Sequence, residues 1–359
     1  MKIAILNLPF DNNYGGNLQR YALMKTLERQ GHEVIHIDLL EYYWLKWYIK
    51  PYSYFKRLLQ KLTSEHPTPV FLEEIMNKSS IEKCVEAREF YEKYIKHTQT
   101  IRKKKEIKKV FDSSFDAIIV GSDQVWRESM TKQIGIESYF LSFIHSKKTK
   151  RIAYAVSMGS EKESFTPDRI VKLGELYSRF DAVSVREKYA LDLLNKYGWT
   201  SPKAQYVLDP TLLLEESDYK KIIDAKGITK TDRDDIFCYI LDKPDGFEEW
   251  INIKCKELNS DYRIQTLSDI GPIEEWLASI MNASLVVTDS YHGCVFSILF
   301  KRPFVFLGNE RRGNARIESL FSVLGIDKNN TETIDYRVVY MKLLKMRQLS
   351  LQFLIDNLN

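Results

Sequence analysis

The polar turn at residues 287–294 (VTDSYHGC) is the segment of the chain best suited to catalysis. Its apolar start predicts a buried strand, and the residues after the turn predict a helix whose first turn holds His292. A histidine there lies at the positive end of the helix dipole, which disfavours its charged form. This placement suits acid–base work near neutral pH or the binding of an anion. The alternative is a histidine that only packs in the core or caps the helix.

Arginines follow two other predicted strands, where a guanidinium can hold a carboxylate or a phosphate through paired N–H groups. Arg186 ends the predicted strand in residues 184–188 (SVREK) and opens a helix. Residues 311–316 (RRGNAR) follow a later strand and place three more arginines near the same edge. The alternatives are an ordinary pair of Arg186 with Glu187, a bridge to another domain, and a solvated arginine cluster.

Two further polar turns follow predicted strands. Residues 13–19 (NYGGNLQ) place paired glycines before a helix, where backbone N–H groups can approach an anion, although a plain tight turn is equally consistent. Residues 120–126 (VGSDQVW) offer Asp123, Gln124 and Trp126 to a sugar through hydrogen bonds and ring stacking. A helix N-cap is the simpler explanation of this second pattern.

The elements that must position these residues alternate between strand and helix. Residues 2–8, 17–30 and 33–38 predict strand, helix and strand, a βαβ unit with parallel pairing and a ligand crevice at the carboxyl ends of the strands. The same alternation resumes after residue 115 and again after residue 235. The sequence therefore predicts an α/β protein in which two Rossmann-like domains face each other across a cleft.

The predicted domain bounds follow from this alternation. We expect an N-terminal domain at 1–198, a C-terminal domain at 199–335 and a final helix at 336–359 that packs back on the body. Residues 41–110 show helical periodicities without a clear buried strand. They predict a mostly helical insertion in the first domain.

Composition excludes several other classes of protein. Hydrophobic residues make up 44% and charged residues 28% of the 359 residues, a balance typical of globular proteins. No apolar stretch reaches the roughly 18 residues that a membrane span requires, and the first residues lack the pattern of a signal peptide. A net charge of +4 is too small to indicate nucleic acid, and the four scattered cysteines form no zinc pattern. We therefore expect a cytoplasmic protein without a nucleic-acid partner or a metal site.

Seven segments, in order along most of the chain, resemble the motifs of the polysaccharide pyruvyl transferase family. They are residues 13–23 (NYGGNLQRYAL), 121–126 (GSDQVW), 154–159 (YAVSMG), 184–187 (SVRE), 207–213 (VLDPTLL), 288–293 (TDSYHG) and 316–320 (RIESL). Each segment is modest by itself, and their order makes the resemblance specific. Residues 41–110 lie outside the part of the chain that resembles the family.

The resemblance implies a fold like that of GT-B glycosyltransferases. It also implies transfer of pyruvate from phosphoenolpyruvate, as a co-substrate and without a cofactor, onto two hydroxyls of a sugar in a cell-surface polysaccharide precursor. The product is a cyclic ketal, and phosphate is released. Arg186 and His292 are the donor-binding and catalytic residues that the resemblance implies. Many members have an arginine where this chain has Ser290, so we expect Arg316, with Arg312 second, to replace it.

The remaining candidate residues come from the polar turns described above and from the mechanism that this reaction would need. Asp289 is the nearest candidate for the base that acts on the acceptor, and Ser290 and Gly293 join the donor site. The expected acceptor-binding or cleft residues are Gly15, Gly16, Asn17, Gln19, Asp123, Gln124 and Trp126. Two other functions stay open, a GT-B-type sugar-nucleotide glycosyltransferase and a non-catalytic protein that binds a carbohydrate or an anion.

The densest group of aromatic residues lies in residues 41–60, where lysines interrupt it. Its members are Tyr42, Tyr43, Trp44, Trp47, Tyr48, Tyr52, Tyr54 and Phe55. This mixture suits the surface of a membrane and predicts peripheral contact with its inner face, where a lipid-linked sugar acceptor would be found. The alternative is a helical hairpin that packs over the cleft or against a second subunit.

Overall fold

Two parallel β-sheets organise the chain in the computed structural model, which describes residues 1–111, 115–159, 165–228, 235–266, 271–309 and 314–358. The strands of the first sheet are β1 (Lys2–Leu6), β2 (Glu33–His36), β3 (Ala117–Val120), β4 (Lys150–Val156), β5 (Ala182–Val185) and β6 (Gln205–Tyr206). Those of the second sheet are β7 (Ile236–Tyr239), β8 (Tyr262–Gln265), β9 (Leu285–Thr288) and β10 (Phe304–Phe306). Their spatial orders are β2-β1-β3-β4-β5-β6 and β10-β9-β7-β8.

Helices connect these strands and cover the sheets. They are α1 (Tyr14–Arg29), α2 (Lys50–Thr63), α3 (Leu72–Lys83), α4 (Val85–Tyr94), α5 (Lys104–Phe111), α6 (Ile136–Tyr139), α7 (Pro167–Tyr177), α8 (Lys188–Lys196), α9 (Glu216–Ala225), α10 (Phe247–Leu258), α11 (Ile273–Asn282), α12 (Tyr291–Leu299), α13 (Ala315–Leu324) and α14 (Tyr336–Leu358). No helix among the described residues is both long and apolar enough to cross a membrane.

The strand pairings within both sheets are parallel, as the βαβ pattern predicts. β1 lies between β2 and β3, and its residues Ile3 to Leu6 are fully buried. Burial on both faces explains why such strands are continuous apolar runs in the sequence. The predicted α/β class with two Rossmann-like domains and a helical insertion is confirmed.

The first sheet extends past the predicted domain boundary after residue 198. β6 pairs with β5 through the register of Ser184 with Gln205 and of Val185 with Tyr206. Because β6 is only two residues long, it carries no alternation that a sequence pattern can detect. The first domain therefore includes residues 205–206.

The insertion divides into a part that joins the core and a part that does not. Phe90 of α4 is buried and meets the ring of Tyr21 on α1 at 6.0 Å. Arg88 donates to both oxygens of the buried Asp38, at 3.0 and 2.9 Å. By contrast, no residue of α2 is buried.

The start of α1 joins the two domains. Tyr14 stacks on Trp276 of α11 at 5.3 Å between ring centroids. Its hydroxyl donates to the carbonyl oxygen of Gly271 at 3.0 Å and accepts from the backbone N–H of the same residue at 2.9 Å. The Nε2 group of Gln265 donates to the same hydroxyl at 2.9 Å. The start of the first helix therefore packs against the second domain.

The last helix, α14, returns to the first domain. Arg347 is buried and donates to the carbonyl oxygens of Leu212 and Leu214, at 2.8 and 3.0 Å. Ser350 accepts a hydrogen bond from the backbone N–H of Leu208 at 2.9 Å. Since these groups belong to the segment after β6, α14 holds that segment in place.

We expect Leu354→Ala on α14 to lower the free energy of unfolding by about 2–5 kcal/mol, because it leaves a cavity in a close-packed core. Leu354 is fully buried, whereas Leu349 on the same helix is 53% exposed. Leu349→Ala is therefore the matched control, and it should change the stability by less than about 0.5 kcal/mol. Chemical denaturation of both variants measures the difference. Equal midpoints for the two variants would show that α14 is not packed as described.

Candidate active site

His292 lies at the joint between the domains, in the first turn of α12, as predicted. Ser290 caps this helix, because its Oγ accepts a hydrogen bond from the backbone N–H of Gly293 at 3.4 Å. Gly293 leaves no room for a Cβ next to the side chain of Thr288. Both residues, predicted to bind the donor, instead build the turn that presents His292.

Gly15 brings the first domain against this histidine. A Cβ built on Gly15 would overlap the imidazole ring of His292, whereas one on Gly16 would have its nearest neighbours at 3.7 Å. Only a residue without a side chain fits the first of these positions. Of the paired glycines predicted to approach an anion, Gly15 therefore approaches a catalytic candidate of the other domain.

Arg186 is almost fully buried and directs its N–H groups at three carboxylates. Nη1 donates to Asp209 at 2.8 Å, Nε to Glu187 at 3.0 Å, and Nη2 lies 3.4 Å from Asp123. Its guanidinium also lies over the ring of Tyr291, 4.8 Å from the centroid. Burial alone would lower the pKa of Arg186, but the nearby carboxylates raise it well above its usual value. Arg186 thus organises acidic groups here, which differs from the predicted direct grip on an anion.

Asp209 is the acidic residue at the centre of this cluster. Its Oδ1 accepts from the backbone N–H and the hydroxyl of Thr211, at 3.0 and 2.7 Å. Its Oδ2 accepts from Gln19 Nε2 at 2.5 Å and from Arg186. Burial by itself would raise the pKa of Asp209, but His292, Arg186 and Thr211 hold it well below its usual value. Asp209 is therefore ionised although it is buried.

Asp209 faces His292 across the joint. Nε2 of His292 lies 3.8 Å from Oδ2 of Asp209, which is close enough for charge attraction and too long for a hydrogen bond. Within the described ranges this buried nitrogen has no hydrogen-bond partner. An imidazole nitrogen left in this state is available to exchange a proton with a bound molecule.

Sequence reasoning missed Asp209. The residue lies within the segment 207–213 that carries the family resemblance, but no role was assigned to it. Its position just after β6 would have been the signal, since an acidic residue at the carboxyl end of a parallel strand faces the crevice of the sheet. That signal was not available, because β6 is too short to be predicted.

Arg316, in the first turn of α13, lies at the edge of the same cluster. Burial raises the pKa of Glu187, and the charges of Arg186 and Arg316 oppose that rise without cancelling it. Arg316 is partly exposed, and its charge acts on Glu187. Arg312, predicted beside it, lies outside the described residues.

Asp289 does not have the surroundings of the predicted base. Its Oδ1 accepts from the backbone N–H of Leu241 at 2.7 Å. Its Oδ2 accepts from the backbone N–H of Asp242 at 2.9 Å and from Asn309 Nδ2 at 2.7 Å. With both oxygens engaged, Asp289 fixes the loops that follow β7 and β10, and the prediction of a base is corrected.

Trp126 lies in the core, so the prediction that it stacks on a sugar is wrong. The side chain is fully buried, its Nε1 donates to the carbonyl oxygen of Tyr139 at 3.2 Å, and its ring stacks on Phe140 at 4.6 Å. Gln124 beside it accepts a hydrogen bond from Arg127 at 2.7 Å. Of the three residues predicted in this turn, only Asp123 reaches the cluster around Arg186.

The other residues predicted in the polar turn at 13–19 form hydrogen bonds that support the site. The backbone N–H of Gly16 donates to Asn13 Oδ1 at 3.1 Å, which caps α1. Asn17 is fully buried, donates to the carbonyl oxygen of Asn13 at 3.0 Å and accepts from Arg20 at 2.8 Å. Gln19 reaches the cluster itself, through its hydrogen bond to Asp209.

A family model described as polysaccharide pyruvyl transferase matches residues 13–311, a range that includes Gly15, Arg186, Asp209 and His292. The chain belongs to this family. The range matched by the family model ends before Arg316. No curated protein matches the chain.

Several solved structures are similar to this pyruvyl transferase family member at low sequence identity. A UDP-N-acetylglucosamine 2-epimerase from Rickettsia bellii is 11% identical, covers 99% of this chain and 98% of its own, and has a TM-score of 0.43. The epimerase from Neisseria meningitidis, bound to UDP-GlcNAc, is 9% identical over 98% and 94%, with a TM-score of 0.47. An α-glucosyltransferase in complex with UDP is 12% identical over 99% and 96%, with a TM-score of 0.46.

We expect Gly15→Ala to displace the imidazole of His292, since the added methyl group would occupy the space of the ring. Overpacking of this kind costs about 1–3 kcal/mol of stability. The chemical shifts of the His292 ring, measured by NMR, should move in this variant. Gly16→Ala is the control, and it should leave them in place because its Cβ meets only ordinary contacts. Unchanged chemical shifts in both variants would show that Gly15 does not lie against the His292 ring.

The low pKa of Asp209 predicts a dependence of stability on pH. A carboxylate whose pKa is depressed by folding stabilises the protein above its unfolded pKa, about 3.9, and this contribution is lost as the pH falls below that value. Asp209→Asn should lower the free energy of unfolding by about 3–5 kcal/mol at pH 7. The deficit should shrink as the pH falls from about 4 toward 2.

Denaturation of wild type and variant across this pH range measures the deficit. Asp224→Asn is the control, since Asp224 is an exposed partner of Lys220 and contributes little. A deficit for Asp209→Asn that stays constant or grows in acid would show that the carboxylate is not stabilised in its charged form.

Proposed function

We propose that this protein transfers pyruvate from phosphoenolpyruvate onto two hydroxyls of a sugar in a cell-surface polysaccharide precursor, with formation of a cyclic ketal and release of phosphate. Membership of the family supports the reaction class. The observation that carries the proposal is the pairing of His292 with the ionised Asp209 where the two domains meet. This pairing supplies the proton transfer that the donor requires.

Phosphoenolpyruvate is an enol phosphate, and its C2 becomes electrophilic when C3 receives a proton. We assign this proton to His292 in its imidazolium form, which Asp209 faces with a balancing negative charge. Because Asp209 is held by Gln19, Arg186 and Thr211, it keeps a fixed position while the charge on the ring changes. Such preorganised charge in a buried site is an effective source of catalysis.

The two hydroxyls of the acceptor then react in turn at C2. The first attacks the cationic C2 and releases its proton to the now neutral His292, which therefore acts as acid and then as base. Phosphate leaves with the electron pair of its bond to C2, and the second hydroxyl attacks and loses its proton to close the ketal. C3 gains one proton and the hydroxyls lose two, so one proton leaves with the phosphate or enters solvent. This sequence requires no base from Asp289, whose oxygens are already engaged.

The negative charges of the donor require cations at the accessible edge of the site. Arg186 is surrounded by three carboxylates and is better described as a positioning residue. We assign donor binding to Arg316, at the edge of the cluster, with Arg312 as the second candidate.

We expect His292→Ala to lower kcat for phosphate release at least about 100-fold, the usual contribution of a general acid–base group. The assay contains phosphoenolpyruvate and a panel of galactose-, mannose- and glucose-type acceptors. His145→Ala is the matched control, since His145 is an exposed histidine in the first domain. It should release phosphate at the wild-type rate.

Two outcomes would contradict the proposal. Near wild-type phosphate release by His292→Ala would remove the catalytic role of this residue. Thermal protection by UDP- or GDP-sugars, together with none by phosphoenolpyruvate, would favour the sugar-nucleotide glycosyltransferase.

A further inference from the structure

Helix α2 is attached to the rest of the protein along one side only. Arg57 donates to both carboxylate oxygens of Glu73, at 2.8 and 2.7 Å, and to the carbonyl oxygen of Val70 at 3.0 Å. Three residues earlier on the same side, the ring of Tyr54 meets that of Phe71 at 5.3 Å. Since positions three apart share a face of a helix, these two contacts fix which side of α2 points inward.

The opposite side of α2 carries an apolar stripe that no described residue covers. Residues three or four apart form it, so they lie above one another on one face. The stripe consists of Tyr48, Tyr52, Phe55, Leu59 and Leu62, which continue from the preceding turn to the end of the helix. Their exposed fractions run from 46% at Leu59 to 81% at Leu62, and the neighbouring Trp47 is 82% exposed. A contiguous exposed surface of this kind marks a site of interaction.

The charges within the segment that carries this stripe have a single sign. Residues 42–63 contain five basic residues and no acidic residue, and among the described residues only Arg57 of the five forms an ion pair, with Glu73. Lys103 adds to this surface, because its Nζ lies over the ring of Trp44, 5.8 Å from the centroid. That contact adds one more lysine beside the aromatic residues that precede α2.

We propose that α2 and the turn before it form a docking surface for an anionic lipid bilayer. Tyrosine and tryptophan place an apolar ring and a polar edge at the level of the headgroups, while Phe55, Leu59 and Leu62 enter the acyl region. Lysines around them meet the anionic headgroups. A second copy of this chain fits less well, since two such surfaces would oppose lysines with no acidic partners.

Vesicle binding by the purified full chain tests the proposal without substrates, so its outcome is separate from that of the transfer reaction. The probes are phosphatidylcholine vesicles with and without phosphatidylserine, in a co-sedimentation assay. We expect at least about tenfold tighter binding to the vesicles that contain phosphatidylserine. Binding should weaken as salt is added, because exposed charges are screened.

Substitutions locate the surface. Phe55→Ser/Leu62→Ser should weaken binding to the anionic vesicles at least about tenfold, because it removes apolar area from the bilayer contact. Met341→Ser/Leu349→Ser on α14 is the matched control, since these residues are 68% and 53% exposed on another surface, and it should bind as wild type does. Unchanged circular dichroism spectra and melting temperatures show that both variants are folded.

The proposal is overturned by any of three results. The first is that wild type fails to bind the vesicles that contain phosphatidylserine. The second is that Phe55→Ser/Leu62→Ser binds as tightly as the control. The third is that wild type is a dimer in solution and this variant, but not the control, is a monomer, which would assign the stripe to a second copy.

Discussion

The carboxylate of Asp209 is the group on which the arrangement of the site depends. A buried charge is costly unless hydrogen bonds and opposite charges surround it. Two of the donors come from distant parts of the chain, Gln19 on α1 and Arg186 after β5. The third, Thr211, lies two residues after Asp209 itself. His292 of the second domain completes the surroundings at 3.8 Å. Satisfying one carboxylate therefore brings together four segments that lie far apart in sequence.

The sequence predicted the elements better than it predicted the contacts between them. Buried parallel strands such as β1 appear as apolar runs, and a histidine after a strand and before a helix is visible from local pattern alone. Asp209 was missed because its importance arises from Gln19, Arg186 and His292, which only the folded chain brings to it. Trp126 was misplaced for a related reason, since spacing does not tell a core aromatic from one in a cleft. Asp289 was assigned as a base because its two loop contacts are equally invisible in sequence.

The high aromatic content of the chain has two physical explanations. Within the described residues, Trp126 and Trp276 are almost completely buried and fill the cores of the two domains. The aromatic residues at 44–55 are mostly exposed, on the part of the insertion that does not join the core. The same insertion also contains α4, which packs firmly on α1. The insertion is therefore packed on the core through α4 and exposed to solvent at residues 44–55.

The joint between the domains has a mechanical consequence. Asp209 follows a strand of the first sheet and His292 a strand of the second, so the pair exists only while the two domains are together. At the same joint, the hydroxyl of Tyr14 bonds to Gly271 of the second domain, and Gly15 beside it lies against the His292 ring. Any rotation that widens the crevice between the domains must separate the His292 ring from the Asp209 carboxylate. In the proposed reaction, such an opening would leave the proton donor without its counter-charge.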